Sequence, residues 1–130
     1  MLLLDTHVVL WLLGTPEKLS VAAARAIEHA ESSGTAIALS CLSLYEIANG
    51  VARKRIVIHE SIESFLAKVE SDLEVLPVTR HVALGAVDLV APFPGDPFDR
   101  IIVATALTEG IPLVTADERI RRSGIVKTIW

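Results

Sequence analysis

The sequence predicts an α/β fold built on a mainly parallel sheet. Short apolar runs alternate with longer stretches of helical periodicity along the whole chain, as in repeated βα units. More than half of the residues are apolar, 52%, so 130 residues can bury a substantial core as one domain spanning 1–130.

The elements follow in order. Leu2-Leu3-Leu4 reads as a buried strand, and Thr6 to Leu13 as a short helix closed near Gly14 and Pro16. Ser20 to Ser33 has helical spacing, with Ser20 as N-cap and Gly34 beyond its end. Ala36 to Cys41 is a second strand, and Ser43 to Arg55 a helix. Arg53, Lys54 and Arg55 fall at the end of that helix, where its dipole favours cations. Ser61 to Leu73 is helical, Glu74 to Val78 a strand, and Thr79 caps a helix reaching about Val90. Pro92-Phe93-Pro94-Gly95 is a turn. Asp96-Pro97-Phe98-Asp99 opens a helix with Pro97 in its first position, and Gly110 follows the end at Glu109. Pro112 to Thr115 is a strand, Asp117 to Ser123 a short helix, and Val126 to Ile129 a last strand.

Composition excludes several classes. No apolar run approaches the roughly 18 residues needed to span a bilayer. The start, Met1-Leu2-Leu3-Leu4-Asp5, has no basic region ahead of its apolar run, so no signal peptide is expected. Cys41 is the only cysteine, which rules out an internal disulfide and fits a reducing cytoplasm. Net charge is −4, from 12 basic and 16 acidic residues. That sign alone argues against a nucleic-acid partner, because phosphates are held by Lys and Arg. Two divalent cations bound among the acids would cancel it.

Four acids share one kind of address. Asp5 follows the first strand. Glu46 lies in the first turn of the helix after the second. Asp117 follows the strand ending at Thr115, and Asp99 lies in the first turn of the Pro97 helix. In open parallel sheets, strand C-termini and helix N-termini converge on the edge that binds ligands. Two carboxylates about 4 Å apart repel by roughly 4 kcal/mol at an effective dielectric near 20. A fold that gathers four of them is therefore expected to bind hard cations between them. Oxygen donors without a Cys/His cluster favour Mg²⁺ or Mn²⁺ over Zn²⁺. Such ions suit phosphodiester hydrolysis, one activating water and another stabilising the leaving oxygen. Each acid taken singly also reads as a helix cap. Ser43-x-x-Glu46 fits a capping box, and Asp96, Asp99 and Asp117 all sit where caps sit. Asp5 weighs most toward a site, because a carboxylate ending a buried run is costly without a partner. Asp96 is assigned to capping.

At these residues the chain resembles the PIN-domain family, and within it the VapC-type toxins of bacterial toxin–antitoxin pairs. Four segments carry the resemblance: Leu3-Leu4-Asp5-Thr6-His7, Ser43-Leu44-Tyr45-Glu46-Ile47, Asp96-Pro97-Phe98-Asp99-Arg100 with the following Ile101 to Ala106, and Leu113-Val114-Thr115-Ala116-Asp117. The third is the most specific, and together they span nearly the whole chain. The resemblance implies a three-layer α/β/α sandwich and a Mg²⁺- or Mn²⁺-dependent endoribonuclease. It also implies a homodimer inhibited by a small cognate antitoxin. By position, Asp5, Glu46, Asp99 and Asp117 match the family's catalytic and metal-binding acids, and Thr115 a small hydroxyl residue beside them.

Other residues are set aside. His7, His29, His59 and His81 lack metal-ligand spacing, and His7 is expected to face solvent. Cys41 is expected in the core. The cations at 53–55 and Arg119, Arg121 and Arg122 read as solvated helix ends, with phosphate contact as the minority reading. Trp11 and Trp130 fit a core or an interface. A phosphoaspartyl phosphatase would want a second Asp two residues after Asp5, where His7 stands. A receiver domain would want a phosphoacceptor Asp after a central strand, where the middle of this chain offers only Arg53, Lys54 and Arg55. The remaining alternatives are a non-toxin PIN nuclease in RNA processing and a catalytically inert PIN binding module.

Overall fold

A computed structural model describes residues 1–90, 93 and 95–130. The expected turn at Pro92-Phe93-Pro94-Gly95 falls partly outside the described residues. Among the described residues, five strands form one sheet: β1 (Leu2–Leu4), β2 (Ile37–Ser40), β3 (Glu74–Leu76), β4 (Leu113–Val114) and β5 (Thr128–Ile129). Their order is β3-β2-β1-β4-β5, and every pairing is parallel. The helices are α1 (Thr6–Gly14), α2 (Val21–Ser32), α3 (Cys41–Ala52), α4 (Ile62–Asp72), α5 (Arg80–Asp88), α6 (Pro97–Glu109) and α7 (Glu118–Ser123). A single 3₁₀ turn at Pro16–Lys18 follows α1. No helix among the described residues is long and apolar enough to cross a membrane.

The alternation of side chains along a strand sorts the core into two layers. Leu4 packs with Val8, Val9, Ile27, Ile47, Phe65 and Val69 on the face covered by α1 to α4. Its neighbour Leu3 points the other way, into Ile102, Val103, Ala106, Ile120 and Val126. Both are fully buried, as expected of a central strand covered on both faces. The result is the expected α/β/α sandwich, with the sheet parallel throughout. The helices are amphipathic where they face it: α2 buries Ala23, Ile27 and Ala30, and α3 buries Ser43, Ile47 and Gly50, each set at i, i+4, i+7. At Gly50 the helix passes so close to the Ile56 side chain that a Cβ there would force that side chain to shift.

Several boundaries differ from expectation: α3 ends at Ala52, so Arg53, Lys54 and Arg55 follow the helix rather than ending it, β3 and β5 are shorter, and the start of α3 is shifted. The second strand ends at Ser40, and Cys41 already begins α3, capped by the Ser40 hydroxyl accepting from the Leu42 N–H. Ser43 is therefore no cap. It is buried inside the helix, and Glu46 lies in the second turn rather than the first. Cys41 is half-buried rather than in the core.

The strand order has one functional consequence. The chain builds outward from β1 to β2 and β3, then returns to the other side of β1 for β4. The C-terminal ends of β1 and β4 thus flank the point where the winding direction reverses. There helices diverge and a crevice opens.

Candidate active site

Asp5 stands at the end of β1 and is 6% exposed. Its N–H donates to the Val114 carbonyl, extending the β1–β4 ladder by one residue and fixing the backbone. One carboxylate oxygen, Oδ1, accepts from the Thr6 N–H at 2.7 Å, capping α1. The other, Oδ2, accepts from the buried Thr115 hydroxyl at 2.6 Å. Thr115 Oγ1 in turn accepts from the Asp117 N–H at 3.1 Å. Thr115 so ties the first acid to the last through one side chain. Burial pushes the Asp5 carboxyl above its ordinary pKa, with the Thr115 hydrogen bond, His7 and the Thr6 N–H pulling it back.

Glu46 is brought alongside by a second hydroxyl pair. Thr6 Oγ1 donates to Ser43 Oγ at 2.9 Å, joining the start of α1 to α3 one turn before Glu46. Burial raises the Glu46 pKa, the Thr6 hydroxyl lowers it, and Asp5 raises it again. Asp99 enters from the first turn of α6. Asp96 caps that helix, its Oδ1 accepting from the N–H groups of Phe98 and Asp99. Asp99 is left facing the crevice, where its pKa is pushed up to about 7 by burial first, then by Asp96, Asp5 and Asp117, against the pull of Arg119. Asp117 caps α7 through Oδ1 and carries Arg119 on Oδ2 at 3.1 Å. Burial pushes Asp117 up, but Arg119 and the backbone N–H groups of Arg119 and Ile120 outweigh it and leave its pKa lowered.

All four expected acids line one cavity of about 360 Å³, together with His7, Trp11, Asp96, Ala116 and Arg119. The capping reading and the site reading turn out not to compete. Asp5 and Asp117 cap helices with one oxygen and keep the other at the crevice. Asp96 is a cap, as expected, and still adds its charge to the rim. Sequence reasoning passed over three lining residues. His7 is exposed, as expected, yet borders the cavity and meets Trp11 at 6.1 Å between ring centres. Trp11 continues to Trp130 at 5.5 Å. Arg119 was grouped with the solvated cations of α7. Only its spacing of two residues from Asp117 could have singled it out.

Arg100 is used differently. It lies beside Asp99, but its guanidinium turns away and donates to the carbonyls of Ala86, Val87 and Leu89 at the end of α5. It also lies 5.8 Å from the Phe93 ring centre. The approach to α6, and with it the position of Asp99, is bolted to α5. Just outside the cavity, Tyr45 and Phe98 stack at 6.0 Å and 17°, each one residue before a lining acid.

The donor set fits a hard divalent cation. It consists of carboxylates, three of which burial and mutual repulsion drive toward protonation. A divalent ion would relieve that repulsion. Among the described residues no three His, Cys, Asp or Glu side chains are already drawn together at ligand spacing. The cation that does lie among these acids is Arg119, 3.1 Å from Asp117 and 3.5 Å from Asp99.

A parallel sheet with an acid-lined crevice at its switch point defines an α/β protein with an acidic centre at the strand C-termini. The chain belongs to the PIN domain family, whose pattern matches residues 2–125. It is 39% identical over 130 residues to a Mycobacterium tuberculosis protein named Ribonuclease VapC22, covering 98% of this chain and 97% of that one. Among solved structures it is similar to VapBC2 from Rickettsia felis bound to a promoter DNA fragment. There the TM-score is 0.75 at 19% identity, over 98% of this chain and 96% of that one. It is also similar to DNA-bound VapBC from Salmonella typhimurium, with a TM-score of 0.72 at 22% identity over 98% and 95% of the two chains. At these identities the structural likeness is one of fold.

Proposed function

We propose that this protein is a metal-dependent endoribonuclease and the toxin of a toxin–antitoxin pair. The observation that carries the reading is the convergence of Asp5, Glu46, Asp99 and Asp117 on one cavity in a PIN-domain chain. The name of the 39%-identical relative supports RNA as the substrate. The VapBC complexes among the structural neighbours support a small antitoxin as partner.

In this reading Asp5, Glu46, Asp99 and Asp117 would hold Mg²⁺ or Mn²⁺, which when bound would supply an activated water and charge stabilisation at the phosphodiester. The protein's own residues set up that chemistry. Thr115 fixes the Asp5 carboxylate and the Asp117 backbone at the mouth of the sheet. The Thr6–Ser43 pair sets α3, and so Glu46, against α1. Asp96 and Arg100 hold the first turn of α6, which carries Asp99. With water rather than the ribose 2′-hydroxyl as nucleophile, and the ribose 3′-oxygen as the leaving group that takes up a proton, the products would carry 5′-phosphate and 3′-hydroxyl ends. The substrate and the single free cysteine both fit a cytoplasmic protein. Leu84 and Val87, one helical turn apart and 64% and 78% exposed on α5, support a homodimer that covers them.

Purified protein incubated with RNA tests the reading. Cleavage is expected with Mn²⁺ and not with EDTA, with 5′-phosphate ends, and expression alone is expected to arrest growth until a cognate antitoxin is co-expressed. Cyclic-phosphate ends or full activity in EDTA would remove the metal-hydrolysis reading. Unimpaired growth with active protein would favour an RNA-processing nuclease. No cleavage of any RNA by folded protein would favour an inert binding module.

A further inference from the structure

The guanidinium of Arg119 lies inside the acidic cavity it would be expected to avoid if it were a solvated helix-end cation. Its Nη2 donates to Asp117 Oδ2 at 3.1 Å and reaches Asp99 Oδ2 at 3.5 Å, while 65% of the side chain remains open to solvent. The other cations of α7 behave otherwise. Arg122 pairs with Glu118 on the helix surface at 3.2 Å, and Arg121 is exposed. Arg119 is thus held at one end among carboxylates that repel one another and is otherwise free to swing outward.

Building on the proposed nuclease reading, we infer that Arg119 is a displaceable counter-ion: its guanidinium bridges Asp99 and Asp117 until a divalent cation takes those oxygens, and the released side chain then contacts the RNA phosphate at the cavity mouth. Two observations meet in this. The contact at 3.5 Å is long for a charge-assisted bond, so the bridge costs little to open. Among the described residues lining the cavity, Arg119 is the one Arg or Lys. A phosphate entering an otherwise anionic cavity needs such a partner, and a planar guanidinium matches phosphate geometry. In this account the residue stabilises the cluster before the metal arrives and positions substrate afterwards.

The inference is tested by Mn²⁺ calorimetry on the whole protein in the absence of RNA, comparing wild type with Arg119→Ala, Arg119→Lys and Arg122→Ala. Competition predicts that Arg119→Ala binds Mn²⁺ at least fivefold more tightly. Arg122→Ala, which removes the same charge from the same helix away from the acids, should change binding less than twofold. Arg119→Lys, which keeps the charge but loses the fork that spans two carboxylates, should fall between wild type and Arg119→Ala. At saturating Mn²⁺, Arg119→Ala should raise the KM for RNA at least tenfold, with partial recovery in Arg119→Lys. Equal tightening in Arg119→Ala and Arg122→Ala would reduce the effect to general electrostatics and overturn the inference. Unchanged Mn²⁺ affinity in Arg119→Ala, while wild type binds Mn²⁺ and cleaves RNA, would overturn it and leave the nuclease reading intact. A wild type that binds no Mn²⁺ would overturn both.

Discussion

Thr115 and Asp5, 110 residues apart in sequence, are joined by a 2.6 Å hydrogen bond between buried side chains, the hydroxyl donating to the carboxylate. Removing that donor leaves a buried carboxylate short of a partner, so Thr115→Val is expected to destabilise the protein by about 1–3 kcal/mol. Thr115→Ser keeps the hydroxyl and should retain most of the stability. Urea unfolding of the three proteins checks this. Equal stability of wild type and Thr115→Val would mean that the bond carries no net energy.

Asp5→Asn removes the charge and also changes one hydrogen bond: the amide oxygen can still accept from the Thr6 N–H, while the NH2 faces the Thr115 hydroxyl, which must turn to accept from it. The Asn side chain can cap α1 about as well as Asp. What it removes is a buried negative charge beside other carboxylates. Relief of that repulsion is expected to stabilise the metal-free variant by on the order of 1–3 kcal/mol after screening and to outweigh the rearranged Thr115 contact, with a smaller gain from added Mn²⁺ than wild type shows. Thermal melts in EDTA and in Mn²⁺ read both quantities. A variant that melts lower than wild type in EDTA, with an unchanged Mn²⁺ shift, would make Asp5 a structural residue.

Asp99 gives the pH dependence. Its folded pKa, raised by burial to about 7 from an ordinary 3.8, means that the folded protein binds its proton more tightly than the unfolded chain does. Its contribution is fully present below about pH 4 and is lost as pH rises toward about 7. Metal-free stability carried by this group should therefore fall across that window, and the fall should shrink in Asp99→Asn. Protons compete with metal at the same carboxylate, so Mn²⁺ affinity should rise over the same range. A flat Mn²⁺ affinity from pH 5 to 8 would contradict this.

Arg100 is expected to act on Asp99 through the backbone. Arg100→Ala removes a guanidinium from three carbonyls at the end of α5, and should cost on the order of 1–3 kcal/mol and reduce cleavage. The metal affinity of the folded fraction should weaken as well, since Asp99 loses its fixed approach. A fully stable Arg100→Ala protein with normal Mn²⁺ binding would show that α6 needs no such anchor.

The elements of the fold were legible in the sequence because local signals agreed with tertiary packing. Ser20, Thr79 and Asp96 each cap the helix that their position announced. Gly110 ends α6 in the left-handed conformation, at φ 66°. The start of α3 was not legible, because Ser40 and Ser43 are both plausible caps three residues apart. Tertiary structure decided between them by drawing Ser43 inward to Thr6. The convergence of the four acids on one cavity was legible through their shared address at strand ends. The turn to which Glu46 belongs was not, since it moved with the helix start. Arg119 was hidden for a different reason: a cation two residues into a short helix looks like any surface arginine until the fold places Asp99 opposite it. The inward roles of His7 and Trp11 likewise depend on which helices meet, which periodicity does not encode.

The most direct test of the account is RNA cleavage in Mn²⁺ by Asp99→Asn beside wild type, with circular dichroism and a thermal melt on the same samples. The four carboxylates acting as one centre require that the variant stay folded and lose cleavage by at least a hundredfold, about 2.7 kcal/mol of transition-state stabilisation. Near-wild-type turnover by a folded Asp99→Asn protein would contradict the account and reduce Asp99 to a residue of the α6 first turn.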